Sequence, residues 1–192
     1  MQKSLFALAI LAAFSTAQAQ TTAPKTVSGF AAIGVTAGGD KLVSLSYTNG
    51  DDVDIKAGGG VVFTAGLDYQ VNPQFSVQGS LNFHVDDQTA KNGSTKFQRF
   101  PIEGVVFYHP ANQWKIGAGL RYVAAPRLNG HGAGNIGTYK FKSTVSALLE
   151  AEYMFDPKMS VKVRYVNEKF ELKNGFGEVD ANHVGVSGNF YF

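Results

Sequence analysis

A chain of 192 residues with a formal net charge of +2, from 17 Lys and Arg against 15 Asp and Glu, lacks the cationic excess that coats a nucleic acid. It has no cysteine, so packing and hydrogen bonding must hold it without disulfides. Hydrophobic residues make up 44% and aromatics 12%, yet beyond residue 20 no apolar run approaches the ~20 residues of a membrane helix, which leaves closed strands as the only way across a bilayer.

Residues 1–19 read as a secretory signal peptide: Lys3 opens it, Leu5 to Phe14 form a short apolar run, and Ser15-Thr16-Ala17-Gln18-Ala19 sets small residues at cleavage spacing. Residues 20–192 are expected to form one domain. A first strand is predicted at 27–36, followed by a polar loop at 37–57 with Gly38-Gly39-Asp40 and Asn49-Gly50-Asp51-Asp52 as turn signals. At 60–70, Val61, Phe63, Ala65, Leu67 and Tyr69 alternate with Thr64, Gly66, Asp68 and Gln70. Asn72-Pro73 then turns the chain into Phe75, Val77, Gly79, Leu81, Phe83 and Val85, which alternate with Ser76, Gln78, Ser80, Asn82, His84 and Asp86. So tight a turn makes these two strands antiparallel neighbours.

The pattern repeats along the chain. A polar loop at 87–95 precedes a strand at 97–108, a short turn at 109–113, and a strand that alternates Trp114, Ile116, Ala118, Leu120 and Tyr122 with Lys115, Gly117, Gly119 and Arg121. After a glycine-rich loop at 125–137, Phe141, Ser143, Val145, Ala147, Leu149, Ala151, Tyr153 and Phe155 are expected to face away from Lys142, Thr144, Ser146, Glu150 and Glu152. Asp156-Pro157-Lys158 turns into Val161, Val163 and Tyr165, opposite Ser160, Lys162 and Arg164, and a last loop lies at 173–178. The final strand, 183–192, sets Val184, Val186, Gly188, Phe190 and Phe192 against His183, Gly185, Ser187, Asn189 and Tyr191. Ending on an apolar aromatic suggests a strand held to its last residue, as in a closed sheet.

These elements predict an all-β fold, an eight-stranded antiparallel up-and-down transmembrane barrel with short turns at one end and four longer loops at the other. The apolar faces must point to lipid, because a lumen that narrow cannot hold their aromatic rings. Tyr69, Tyr108, Trp114 and Phe155 then fall at the short-turn end as an interfacial aromatic girdle. The polar faces become the lumen. Glu103, Lys115, Arg121, Glu150, Glu152, Lys162 and Arg164 sit on neighbouring strands and are expected to form an ion-pair network that plugs it, since buried charges persist only when paired.

The signal peptide, the eight strands with four long loops and the closing strand with Phe190 and Phe192 resemble the small outer-membrane barrels of the OmpA transmembrane-domain, OmpX and opacity-protein type. The resemblance implies outer-membrane lipid and the barrel-assembly machinery as partners. It also implies that this machinery reads Phe190 and Phe192 as an assembly signal, although Ser187 stands where the group carries glycine and Gly188 follows it. An envelope protein or surface ligand would meet the outer loops.

No catalytic, cofactor or metal site emerges, and no nucleic-acid partner. Gly132-Ala133-Gly134-Asn135-Ile136-Gly137 matches a dinucleotide fingerprint but precedes a strand where that motif needs a helix, so it reads as a mobile outer loop. Asp51, Asp52 and Asp54 lack the remaining ligands of a calcium loop. His84, His109, His131 and His183 show no metal-ligand spacing. His183 and Ser187 share a face but stand ~13 Å apart, too far for a nucleophile and its base. The expected role is structural, adhesive or within an envelope complex, through four mobile outer loops. A narrow pore and a lipid A-modifying enzyme are the alternatives.

Overall fold

A computed structural model describes residues 27–46, 52–90, 93–132, 138–173 and 177–192. The signal-peptide reading of residues 1–19 therefore lies outside the described residues. Among those described, eight antiparallel strands form the barrel: Val27–Gly38, Gly60–Asn72, Phe75–Ala90, Pro101–Ala111, Trp114–Val123, Thr144–Asp156, Met159–Asn167 and His183–Tyr191. They are called here the first to the eighth strand. Each pairs with its neighbour in sequence, and the first pairs with the eighth from Phe30↔Tyr191 to Gly38↔His183, so the sheet closes with no crossover. Gly29 and Phe192 exchange both backbone hydrogen bonds at 2.9 Å, so pairing extends to the last residue.

Period-two alternation decides the facing. Val184, Val186 and Phe190 are exposed on the eighth strand while His183, Gly185, Asn189 and Tyr191 are buried, and the other strands repeat the scheme. The exposed set of Ile33, Leu67, Leu81, Ile102, Leu120, Leu149 and Val163 forms an apolar outer band suited to lipid. Two lumen glycines make room for rings. A Cβ on Gly66 would come within 2.7 Å of the Phe30 ring, and one on Gly117 within 2.6 Å of the Phe107 ring.

The tight turns at 72–75, 111–114 and 156–159 close one end. At the other end the expected polar loops are paired strands. The outer half of the third strand pairs with Gly93–Arg99, which pairs with Arg127–Gly132, which pairs with Thr138–Lys140. Phe141 bridges Leu172, Lys169–Glu171 pairs with Glu178–Asp180, Asp40 bonds the Asp180 backbone, and Lys41–Ser46 pairs with Asp52–Lys56. These segments form a cap with its own apolar core of Ile55, Ala57, Phe97, Val123, Leu128, Phe141, Phe170 and Ala181. The rings of Phe97, Phe141 and Phe170 meet at centroid distances of 5.8 to 5.9 Å.

Two facings differ from expectation. Phe141 points into the cap at 2% exposure instead of joining the lipid face, and Lys142 points out to meet the Glu171 carboxylate at 2.7 Å. The sixth strand begins only at Thr144, and the irregular step before it shifts the alternation by one residue. Residues 133–137, all of the glycine-rich motif after Gly132, lie outside the described residues.

Candidate functional site

The lumen is built by register. Glu103 stands directly opposite Arg121, Glu150 opposite Arg164, and Glu152 opposite both Lys162 and Lys115, so opposite charges meet across neighbouring strands. Near the short turns, Lys115 Nζ lies 2.8 Å from Asp68 Oδ2 and 4.6 Å over the Tyr191 ring. Gln78 Nε2 donates to Asp68 and to the Tyr191 hydroxyl, and that hydroxyl donates to Glu152 Oε1 at 2.6 Å. Lys162 Nζ sits 3.2 Å from Glu150 and 3.7 Å from Glu152, stacked over the Phe107 and Phe30 rings.

Toward the cap two guanidiniums bridge carboxylates. Arg164 holds Glu103 at 3.0 Å and also Glu150, and Arg121 holds Glu103 at 2.7 Å and Glu168 at 3.1 Å. Arg121 further donates to His84 Nδ1 at 3.2 Å. Above them Arg99 is wholly buried, donates to the carbonyls of Ala57 and Gly59, and lies over the Phe97 ring. A smaller apolar cluster, Val105, Phe107, Leu148 and Val166, fills one wall. One small cavity lined by Gln78, Glu103, Glu150, Lys162 and Arg164, among others, holds about 10 Å³, room for roughly one water.

The structure thus brings Glu103, Arg121, Glu150, Glu152, Lys162 and Arg164 into one contiguous set, whereas Lys115 finds its carboxylate across the lumen in Asp68. Glu168 was missed by sequence reasoning. It continues the inward series Arg164, Val166, Glu168 just past the end of the seventh strand, where Asn182 Oδ1 accepts its backbone N–H. Tyr108, Trp114 and Phe155 are exposed beside the tight turns and Tyr69 is partly so, with Trp114 and Phe155 both packed on Tyr153. Phe190 and Phe192 stack at 6.4 Å on the outer face of the closing edge.

Among the described residues, no group of three or more His, Cys, Asp or Glu is placed to hold a metal ion. His183 Nδ1 donates to the Ala181 carbonyl while Ser187 bonds Asn189, so these two serve separate partners. A serine and a histidine do meet elsewhere, Ser76 Oγ and His109 Nε2 at 3.0 Å, but Ser76 is fully buried and offers no path to a substrate.

A closed, filled eight-stranded barrel with a lipid-type exterior defines a class of membrane protein, and comparison with known families specifies it. Residues 6–192 match the family described as "Outer membrane protein beta-barrel domain", and the chain belongs to that family, as an integral protein of the outer membrane. Its fold resembles that of Ail, the attachment invasion locus protein of Yersinia pestis, solved in complex with the heparin analogue sucrose octasulfate. That likeness has 10% identity and a TM-score of 0.56, covering 88% of this chain and 97% of Ail. A second Ail structure gives 9% identity and 0.54 over the same shares. Neisserial surface protein A matches with 11% identity and a TM-score of 0.49, covering 88% and 98%. At these identities the likeness is one of fold. Comparison with curated proteins gives no match.

Proposed function

We propose that the protein is a non-conducting anchor that holds a folded cap at the cell surface for structural or adhesive contacts, and that it is not an enzyme. The observation that carries this reading is the double closure of the lumen. Paired charges run from wall to wall of the lumen around a cavity of about 10 Å³, and the apolar core of the cap lies across the outer mouth. A narrow pore would need a continuous wet path, and both layers oppose one. In this reading residues 1–19 direct export, the barrel-assembly machinery engages Phe190 and Phe192, and an envelope protein or surface ligand meets the cap. Tyr69, Tyr108, Trp114 and Phe155 seat the barrel at the inner interface.

The test is single-channel recording of the refolded protein in a planar bilayer, with insertion confirmed first by heat-dependent gel mobility. Inserted protein that stays silent is the expected result. Discrete, reproducible openings would replace the anchor reading with the pore.

A further inference from the structure

One row on the outer wall of the cap is charged in an unusual way. Arg127 is the direct cross-strand partner of Lys140, and the antiparallel bridge Phe141↔Leu172 sets Lys140 opposite Lys173, whose N–H donates to the Lys140 carbonyl at 3.0 Å. All three side chains are exposed. Strands lie ~4.8 Å apart, so the row packs three cations side by side, and like charges directly opposite one another are destabilising. Elsewhere in the cap Lys41 meets Asp54, Lys96 meets Asp87 and Lys142 meets Glu171, while Lys56 and Lys169 are exposed singly, so the three-cation row is the densest unpaired charge among the described residues. No carboxylate of the described residues pairs with the row.

Two positional facts say what would neutralise it. Arg127 opens the cap strand that follows the fifth strand, on the cap side of Tyr122, the last outward aromatic of that strand, and so lies beyond the apolar band. The row also points sideways from the wall, since the flanking Leu128, Phe141 and Leu172 turn into the cap. Just below it, toward the membrane, lies a cavity of about 400 Å³ lined by Lys142, Ser143, Thr144, Lys169, Glu171 and Glu178, a polar lining suited to sugar hydroxyls. A soluble polymer would meet a cap from above, whereas the side wall at this height faces the headgroups of the surrounding leaflet. We infer that Arg127, Lys140 and Lys173, with the groove beneath them, bind the phosphorylated sugar headgroup of an outer-leaflet glycolipid.

The inference does not depend on whether the lumen conducts. It is tested by titrating diphosphorylated lipid A, and separately its dephosphorylated form, onto the full chain refolded in detergent, with bound lipid counted by native mass spectrometry. The parent is expected to retain the diphosphorylated form at least tenfold more tightly. Combining Arg127→Gln, Lys140→Gln and Lys173→Gln is expected to erase that preference and to leave the lipid-free protein at least as resistant to urea as the parent, because the repulsion within the row is gone. Should the triple variant not fold, Lys140→Gln alone is expected to lower the preference several-fold. Equal retention by parent and variant would overturn the inference. So would a parent that ignores the lipid phosphates yet captures soluble heparin through the same three side chains, which would make the row a receptor for free polyanions.

Discussion

The barrel and the cap are built from one chain by the same period-two rule, and they are inside out with respect to each other. In the barrel Leu81, Ile102, Leu120 and Leu149 face outward and Glu103, Arg121, Glu150 and Lys162 face inward. In the cap Ile55, Phe97, Leu128, Phe141 and Phe170 face inward, while Lys56, Arg127, Lys140, Lys142 and Lys169 face outward. The difference follows the solvent. Lipid rewards an apolar exterior and leaves the charges to pair in the lumen; water rewards the reverse. A wall of strands that passes from one medium to the other must therefore change its outward residues, either by a shift of phase or, as in the unbroken third strand, by passing from Val85 to Asp87 on the same face.

The comparison is tested hardest where the barrel's interior is least replaceable. Arg121 bonds Glu103, Glu168 and His84 at once and is fully buried. Arg121→Met keeps much of the volume but leaves Glu168 without its ion-pair partner and with the Ser146 hydroxyl as its side-chain donor, and breaking a buried pair in this way costs about 3–5 kcal/mol. Urea unfolding in phosphocholine vesicles should show that loss. A change below about 1 kcal/mol would mean that water already solvates the lumen carboxylates.

The exterior is the next place to press. Val186 lies half-way along the eighth strand on the lipid face, and Val186→Arg is expected to cost about 2–4 kcal/mol and to slow insertion into vesicles. Ser94→Arg makes the matching outward change in the cap, where water receives the charge, and should stay within about 0.5 kcal/mol of the parent. Similar costs at the two positions would show that the cap, too, sits in hydrocarbon.

The barrel half of this contrast was plain in the residue pattern because its strands are long: six consecutive alternations, as from Phe75 to Asp86, leave little doubt about facing. The lumen pairs were legible for the same reason, since strands joined by tight turns have nearly fixed registers and Glu103 must then meet Arg121. The cap escaped notice because most of its segments carry a single inward apolar residue between polar neighbours. Asp54-Ile55-Lys56, Lys96-Phe97-Gln98, Arg127-Leu128-Asn129, Lys140-Phe141-Lys142 and Lys169-Phe170-Glu171 are too short to show a period singly. Taken together they are a recurrent triplet in every long connection. That repetition was the available signal. Lys115 pairing with Asp68 was not legible at all, since the contact crosses the lumen and depends on barrel curvature.

The change of phase itself can be located. Along the fifth strand Arg121 and Val123 face in while Tyr122 and Ala124 face out; beyond Ala125 the order reverses, with Pro126 and Leu128 in and Arg127 out. Ala125 carries the shift with φ of 38°, the one non-glycine residue in the left-handed region among those described. The neighbouring wall shifts at Ser143, between inward Phe141 and the start of the sixth strand, and Ser143 Oγ accepts the Ala125 N–H at 3.2 Å. The two dislocations lie side by side and share a hydrogen bond, so the wall changes phase as a unit where membrane gives way to water. A left-handed backbone costs an L-residue about 1–2 kcal/mol, part of which glycine returns as unfolded-state entropy. Ala125→Gly should therefore stabilise the protein by up to about 1 kcal/mol, visible as slower proteolysis and hydrogen exchange in the cap with the barrel unchanged. A variant whose cap opens faster would mean that the Ala125 methyl holds the junction through packing, and that the phase change is fixed by side chains instead of by the backbone turn.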